Sequence, residues 1–253
     1  MAIKSYAIKG KASRVPSEYD EVEYCYMPLS AYINLGIPYN SGMTIEIKES
    51  HGSSSSSVIG ANPYFAITNT SSTRRVRYNN TVFDGTAVGT AVVVKLEKNV
   101  LYIDGVLKKT FTASSFSSVY NMLLGGRMSQ SGVPEETAIC TVYYLKISID
   151  NTPVFDMIPV KKKSNNEYGM YDLVSKSFFG NDGASDFRGG SIVPTTVKTY
   201  AILDKSSRVP TEYQEIEYIA TTTKSEYINT NILMKASHKI ECYFSLEAEY
   251  MED

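Results

Sequence analysis

The chain has 253 residues, 43% of them apolar and 21% charged, with a formal net charge of −2 at pH 7. That supplies enough apolar mass for a buried core, in one large β domain or two small ones, and excludes compositional disorder. A charge balance this close to neutral also excludes the basic face that binding a phosphate backbone requires, so no nucleic-acid partner is expected.

The N-terminal stretch "MAIKSYAIKGKAS" lacks the continuous apolar run of a secretory leader. No segment approaches the ~20 apolar residues that cross a bilayer as a helix, so no membrane insertion is expected. The reading is a chain made and kept reduced in the cytoplasm. Its three cysteines, Cys25, Cys140 and Cys242, are odd in number and far apart, each in an alternating apolar run. They read as small buried hydrophobes rather than metal ligands.

After a lead-in at 1–12, short runs rich in Tyr and β-branched residues recur between 19 and 180, broken by Gly, Asn, Ser and Pro, with almost no helical period. In "TIEIKES" (44–50), Ile45 and Ile47 face one way and Glu46 and Lys48 the other. "HGSSSSSVIG" (51–60) reads as an exposed loop tip, because a run of serines offers nothing to bury, and His51 reads as solvated. "TRRVRY" (73–78) reads as a surface strand with Arg75 and Arg77 opposite Arg74 and Val76.

"AVVVKLEKNVLYIDGVLKKTF" (91–111) predicts a three-strand meander, turning at Lys98-Asn99 and at Asp104-Gly105, a pair suited to the positive φ of a two-residue hairpin. "ICTVYYLKISI" (139–149) predicts a half-buried strand with Ile139, Thr141, Tyr143, Leu145, Ile147 and Ile149 on its inner face. "PVFDMIPV" and "YGMYDLVSKSFFG" follow, the latter a hairpin turning at Val174 to Lys176. Between them Lys161, Lys162 and Lys163 read as a solvated turn. Many antiparallel strands without helices predict an all-β, two-sheet jelly-roll sandwich.

The chain then repeats itself. "SYAIKGKASRVPSEYDEVEY" (5–24) aligns with "TYAILDKSSRVPTEYQEIEY" (199–218), with Arg14/Arg208, Pro16/Pro210, Tyr19/Tyr213 and Glu23/Glu217 in register. "AYINLGI" and "TIEIKES" are answered by "EYINTNI" and "KIECYFS". A repeat this long is a tandem domain, not a solenoid. The predicted organisation is a domain at 13–190, a linker at 191–206 within the hinge "GGSIVPTTVKT", and an incomplete second copy at 207–253. The second copy is expected to continue in a longer protein, or to be completed by strand addition from another chain.

"RVPSEYDEVEY", "AYINLGI", "TIEI" and the turn of "LYIDGVLKKTF" resemble the opening of concanavalin A-like, laminin-G-like domains of phage and gut-bacterial surface proteins. "MLLGGR", "YYLKISIDNTPVFDMIPVKKK" and "YGMYDLVSKSFFGNDGASDF" resemble the closing strands of that module. The resemblance covers about 13–190 and implies a concanavalin A-like jelly roll used for binding or display more often than for catalysis.

Against that stands "EYDEVE". Glu18, Asp20 and Glu23 have the spacing of the catalytic acids of jelly-roll β-glucanases, which need two carboxylates on one strand face. The second copy replaces Asp20 by Gln214 while keeping Glu212 and Glu217, and the chain has no Trp to stack a sugar. An edge strand whose charges discourage mispairing is the plainer account. Asp182 and Asp186 offer carboxylates for a calcium ion, but their spacing matches no known loop. His51 and His238 lie outside any nucleophile motif. The twenty tyrosines suit strands as well as sugars.

No catalytic, metal or cofactor-binding residue is therefore assigned, and no cofactor is expected. The leading expectation is a non-enzymatic structural or display module of a bacteriophage virion, made in the host cytoplasm. Its expected partners are other virion proteins, further copies of itself, and a host-surface glycan. The alternative is a lectin-like carbohydrate-binding module, and the remote alternative a jelly-roll β-glucanase.

Overall fold

A computed structural model of the chain describes residues 3–8, 13–52, 56–70, 72–193 and 198–203. Among these there is no helix. The strands are β1 (Ile3–Ile8), β2 (Tyr19–Glu21), β3 (Cys25–Met27), β4 (Ile33–Asn40), β5 (Met43–His51), β6 (Ser57–Ala61), β7 (Phe65–Thr70), β8 (Thr73–Tyr78), β9 (Thr81–Ala87), β10 (Val92–Glu97) and β11 (Val100–Ile103). They continue as β12 (Val106–Thr110), β13 (Ser117–Leu124), β14 (Arg127–Met128), β15 (Pro134–Glu135), β16 (Cys140–Ile149), β17 (Thr152–Lys162), β18 (Tyr168–Asp172), β19 (Ser177–Phe179), β20 (Arg188–Gly189) and β21 (Lys198–Leu203).

Two sheets carry the body. The larger runs β12-β11-β10-β5-β16-β17-β18-β19, with β2 on β17 and β3 between β16 and β20. The smaller runs β15-β14-β6-β7-β8-β9, with β13 joining β4 to β6. Pairing between the strands of these two sheets is antiparallel except for the short β6–β14 contact, and an isolated parallel bridge joins Ser57 to Thr137. This is a jelly-roll-like sandwich, as the alternation requires. β1 and β21 form a two-stranded sheet of their own. The proposed second copy, with Cys242, His238, Glu212, Gln214 and Glu217, lies outside the described residues.

The meander forms as predicted. Lys98 takes φ 54°, and Asp104 and Gly105 take 49° and 74°, the doubly left-handed geometry that fits a hairpin's twist. The hairpin β18–β19 turns over Leu173 to Lys176. Ile45 and Ile47 of β5, Val94 and Leu96 of β10, and Leu145 and Ile147 of β16 are buried against Ile33, Ile59, Phe65, Ile67 and Val76 of the opposite sheet. Tyr39, Phe65, Tyr78, Phe111 and Phe116 interlock beside them, with Tyr39 and Phe65 stacked at 4.5 Å and Tyr78 and Phe111 at 5.3 Å.

The repeated opening motif has a structural task. Val15 packs with Ile158, Val160 and Tyr171, and Tyr19 covers them, 5.2 Å from Tyr171 and 5.6 Å from Phe178. The Arg14 guanidinium donates to the buried Glu21 carboxylate at 2.8 Å. The motif thus clasps the opening of the domain onto its closing strands. The second copy keeps the same residue types, Arg208, Val209, Tyr213 and Glu215.

Four expectations are corrected. On β16 the inner residues are first Cys140 and Val142, then Leu145 and Ile147, while Ile139 is exposed. A bulge against β5 between Val142 and Tyr144 adds a residue and exchanges the faces, so Thr141 and Tyr143 point outward. Of the serine run, Ser56 and Ser57 are buried, because Asn69 and Glu136 receive their hydrogen bonds. Lys161 and Lys162 end strand β17 instead of forming a turn, their ammonium groups over the rings of Tyr168 and Phe178. Finally, backbone pairing continues through Val193, whose N–H donates to the Glu21 carbonyl, so the first part of the hinge stretch belongs to the body.

Candidate functional site

The site is built where β3 lies between β16 and β20. Cys25 and Met27 are fully buried, so the strand's alternation sends Tyr24 and Tyr26 to the outer face. Tyr26 is opposite Thr141 on one side and Arg188 on the other. The bulge on β16 adds Tyr143 to the same face. Tyr24 and Tyr143 meet edge to face, their centroids 6.0 Å apart at 64°. Lys48 of β5 places its ammonium 5.2 Å from the Tyr143 ring centre.

Tyr24, Tyr26, Thr141, Tyr143, Arg188 and Gly189 line a groove of about 490 Å³, within the ~300–1,000 Å³ typical of small-ligand sites. Glycine is required at its floor. A Cβ on Gly189 would strike the Tyr168 ring, and one on Gly190 would strike Tyr24. The groove therefore offers three phenol rings with polar tips, one hydroxyl and one guanidinium, with no carboxylate among its lining side chains.

The buried interior behind this face holds a different polar cluster. Period-2 alternation on β5 carries inward past Ile47 to Glu49 and His51, both buried. One Glu49 oxygen accepts the Arg74 Nε–H at 2.6 Å, and the other lies 2.5 Å from His51 Nδ1. Arg74 Nη1 also donates to the Ala87 carbonyl at 3.1 Å. His51, expected in solvent, and Arg74, expected on a surface strand, are thus core residues. The reason is mutual: each supplies the charge or proton that makes burying Glu49 tolerable. Arg75 and Arg77 do face outward, toward Asp84 and Asn62. Cys25 and Cys140 lie in the same interior, and burial pushes both thiols well above the usual range, away from nucleophilic character.

The acids of "EYDEVE" are engaged or apart. Asp20 pairs with Lys163 at 3.2 Å, and Lys163 also donates to the Ser17 carbonyl. Glu18 and Glu23 are exposed, and neither they nor Asp20 line the tyrosine groove. A second groove, of about 560 Å³, includes Glu135, Glu136 and Asp182. Its carboxylates already serve the protein: Arg127 donates to both glutamates, and Asp182 accepts the Asn34 N–H at 2.7 Å. Asp186 is exposed and does not line this groove.

Of the residues weighed in the sequence, only Thr141 and Tyr143 line the tyrosine groove, and both were assigned to the wrong face. Tyr24 and Tyr26 were legible in "EYCYMP" as the polar-tipped half of an alternating run. Arg188, some 160 residues downstream, carried no local signal.

No protein-family model and no curated protein matches the chain. Among solved structures, it is similar to a protein from Bacteroides ovatus whose given role, carbohydrate binding, is itself provisional. The identity is 8% and the TM-score 0.49, over 70% of this chain. The match spans 62% of that structure's length. At this distance the likeness carries no argument about the site.

Proposed function

We propose that the chain is a carbohydrate-binding module, of the concanavalin A-like class that its opening and closing motifs resemble, holding a saccharide in the groove of Tyr24, Tyr26 and Tyr143. The observation that carries this reading is the groove itself: three tyrosines gathered on one outer sheet face. A pyranose ring has apolar C–H faces that pack on an aromatic ring and rim hydroxyls that exchange hydrogen bonds with phenols. Tyrosine supplies both at low entropic cost, having only two χ angles to fix. The closing strand, the bulge and the glycine pair pre-set the rings, which lowers the ordering cost of binding.

The groove favours binding over the purely structural virion module, because a structural role needs no cleft that gathers three tyrosines and a guanidinium without an ion pair on an outer face. It also favours binding over glycoside hydrolysis, because its lining offers no carboxylate to protonate a leaving group. A glycan array probed with the full chain, and with Tyr26→Ala and Tyr143→Ala variants, tests the proposal. Binding by the parent that both variants lose supports it. Absence of any saccharide binding by the parent ends it.

A further inference from the structure

We infer that the saccharide taken by this groove carries a carboxylate, as uronic and sialic acids do; this rests on the binding function proposed above and narrows its ligand. The argument is one of charge left over. Elsewhere on the described body, the arginines are spent within the fold. Arg14 is paired with Glu21, Arg74 with Glu49, Arg75 with Asp84, and Arg127 with Glu135 and Glu136, while Arg77 donates to the Asn62 side chain. Arg188 differs. Among the described residues its guanidinium has neither ion pair nor side-chain hydrogen bond, and it is exposed at the rim of the groove.

Lys48 adds a second positive charge on the same face, resting over the Tyr143 ring with no carboxylate partner among the described residues. The nearest acid on the same face of its strand, Glu46, accepts from the Tyr144 hydroxyl at 3.1 Å. A cleft with two cations at its edge and no anion in its lining attracts a negative ligand. Its flat fork of N–H donors makes arginine the side chain that best matches a carboxylate, through two parallel hydrogen bonds. The tyrosines would hold the ring while Arg188 fixes the acid group, so orientation follows from one charged and one stacked contact.

The experiment is titration calorimetry of the full chain with three probes: tri-galacturonate, its methyl ester, and sialyl-lactose, with lactose as the neutral counterpart. The parent is expected to bind at least one acid form tenfold or more tightly than its uncharged counterpart. Arg188→Gln should remove that preference, and Arg188→Lys should restore only part of it, since an ammonium cannot form the two-pronged contact. Raising salt should weaken acid binding in the parent and much less in Arg188→Gln. Equal binding of charged and neutral probes, lost in Tyr143→Ala but unaffected by Arg188→Gln, would overturn the inference and leave the binding function standing. No binding of any probe, together with a blank glycan array, would overturn both. Because Arg188 is exposed and unpaired, its substitution leaves the fold intact, which circular dichroism verifies.

Discussion

The two faces of β5 and β16 carry similar chemistry to opposite ends. Inward, Glu49, His51 and Arg74 are sealed from water and hydrogen-bonded to one another. Outward, Lys48, Tyr143, Tyr26 and Arg188 are open, and Arg188 is uncommitted among the described residues. The difference teaches that charge alone does not mark function in a sandwich. Inside, a charge must be answered by the fold itself, because isolated ions are too costly to bury. Outside, water answers it, and a ligand can replace the water.

Breaking the inner cluster has the largest expected effect. Arg74→Met leaves Glu49 buried beside His51 alone, and removing one partner of a buried pair typically destabilises by ~3–5 kcal/mol. Urea denaturation should show that loss, while the folded fraction still binds saccharide. A loss below ~1 kcal/mol would mean the cluster relaxes or hydrates. Tyr143→Ala reverses the pattern: it should weaken saccharide binding about tenfold or more, as truncating an anchor side chain does, yet change stability little because the ring is partly exposed on the outer face. Equal damage to stability and binding would make Tyr143 a scaffold residue.

Much of the fold was legible because period-2 alternation and turn chemistry are local. Asp104-Gly105 needs only its two residues to specify a hairpin, and Ile45 and Ile47 need only their neighbours. The site was not legible, for two physical reasons. A bulge is set by the partner strand, so nothing within "ICTVYYLKISI" says that Tyr143 leaves the inner face. The groove also joins β3, β16 and β20, which only the tertiary pairing brings together. The buried cluster failed to show for a related reason. The alternation in "TIEIKESH" does point Glu49 and His51 inward, but composition argues against it until Arg74 arrives from another strand.

The neighbouring arginines sharpen the comparison further. Arg75 follows Arg74 directly but donates to Asp84 in solvent, at 2.7 Å, and this bond holds the Asp84 carboxyl below its ordinary range. Both side chains are exposed enough for water and salt to screen them. A double-mutant cycle on Arg75→Gln and Asp84→Asn should return a coupling of at most ~1 kcal/mol, shrinking with added salt. A coupling as large as that of the Arg74–Glu49 pair would erase the distinction between inner and outer charge.

The smallest effect concerns pH. Tyr144 sits on the outer face beside the groove, where partial burial, the Glu46 charge and its hydrogen bond to Glu46 push its hydroxyl from 10.0 up to about 12. Only the protonated phenol can donate that bond, so the folded state holds the proton more tightly than the unfolded chain. The contribution is whole below pH 10 and disappears as pH rises through 12, because the unfolded state ionises first. Tyr39, deep in the core, is shifted in the same direction by burial, so the parent's alkaline decline has more than one source. The informative quantity is accordingly the difference between parent and Tyr144→Phe in denaturation midpoint, followed from pH 9 to 12. The gap should narrow with rising pH, since the parent alone loses this hydroxyl's contribution. A constant gap would show that Tyr144 keeps its ordinary acidity, and that Glu46 is as free as Lys48 to meet a ligand.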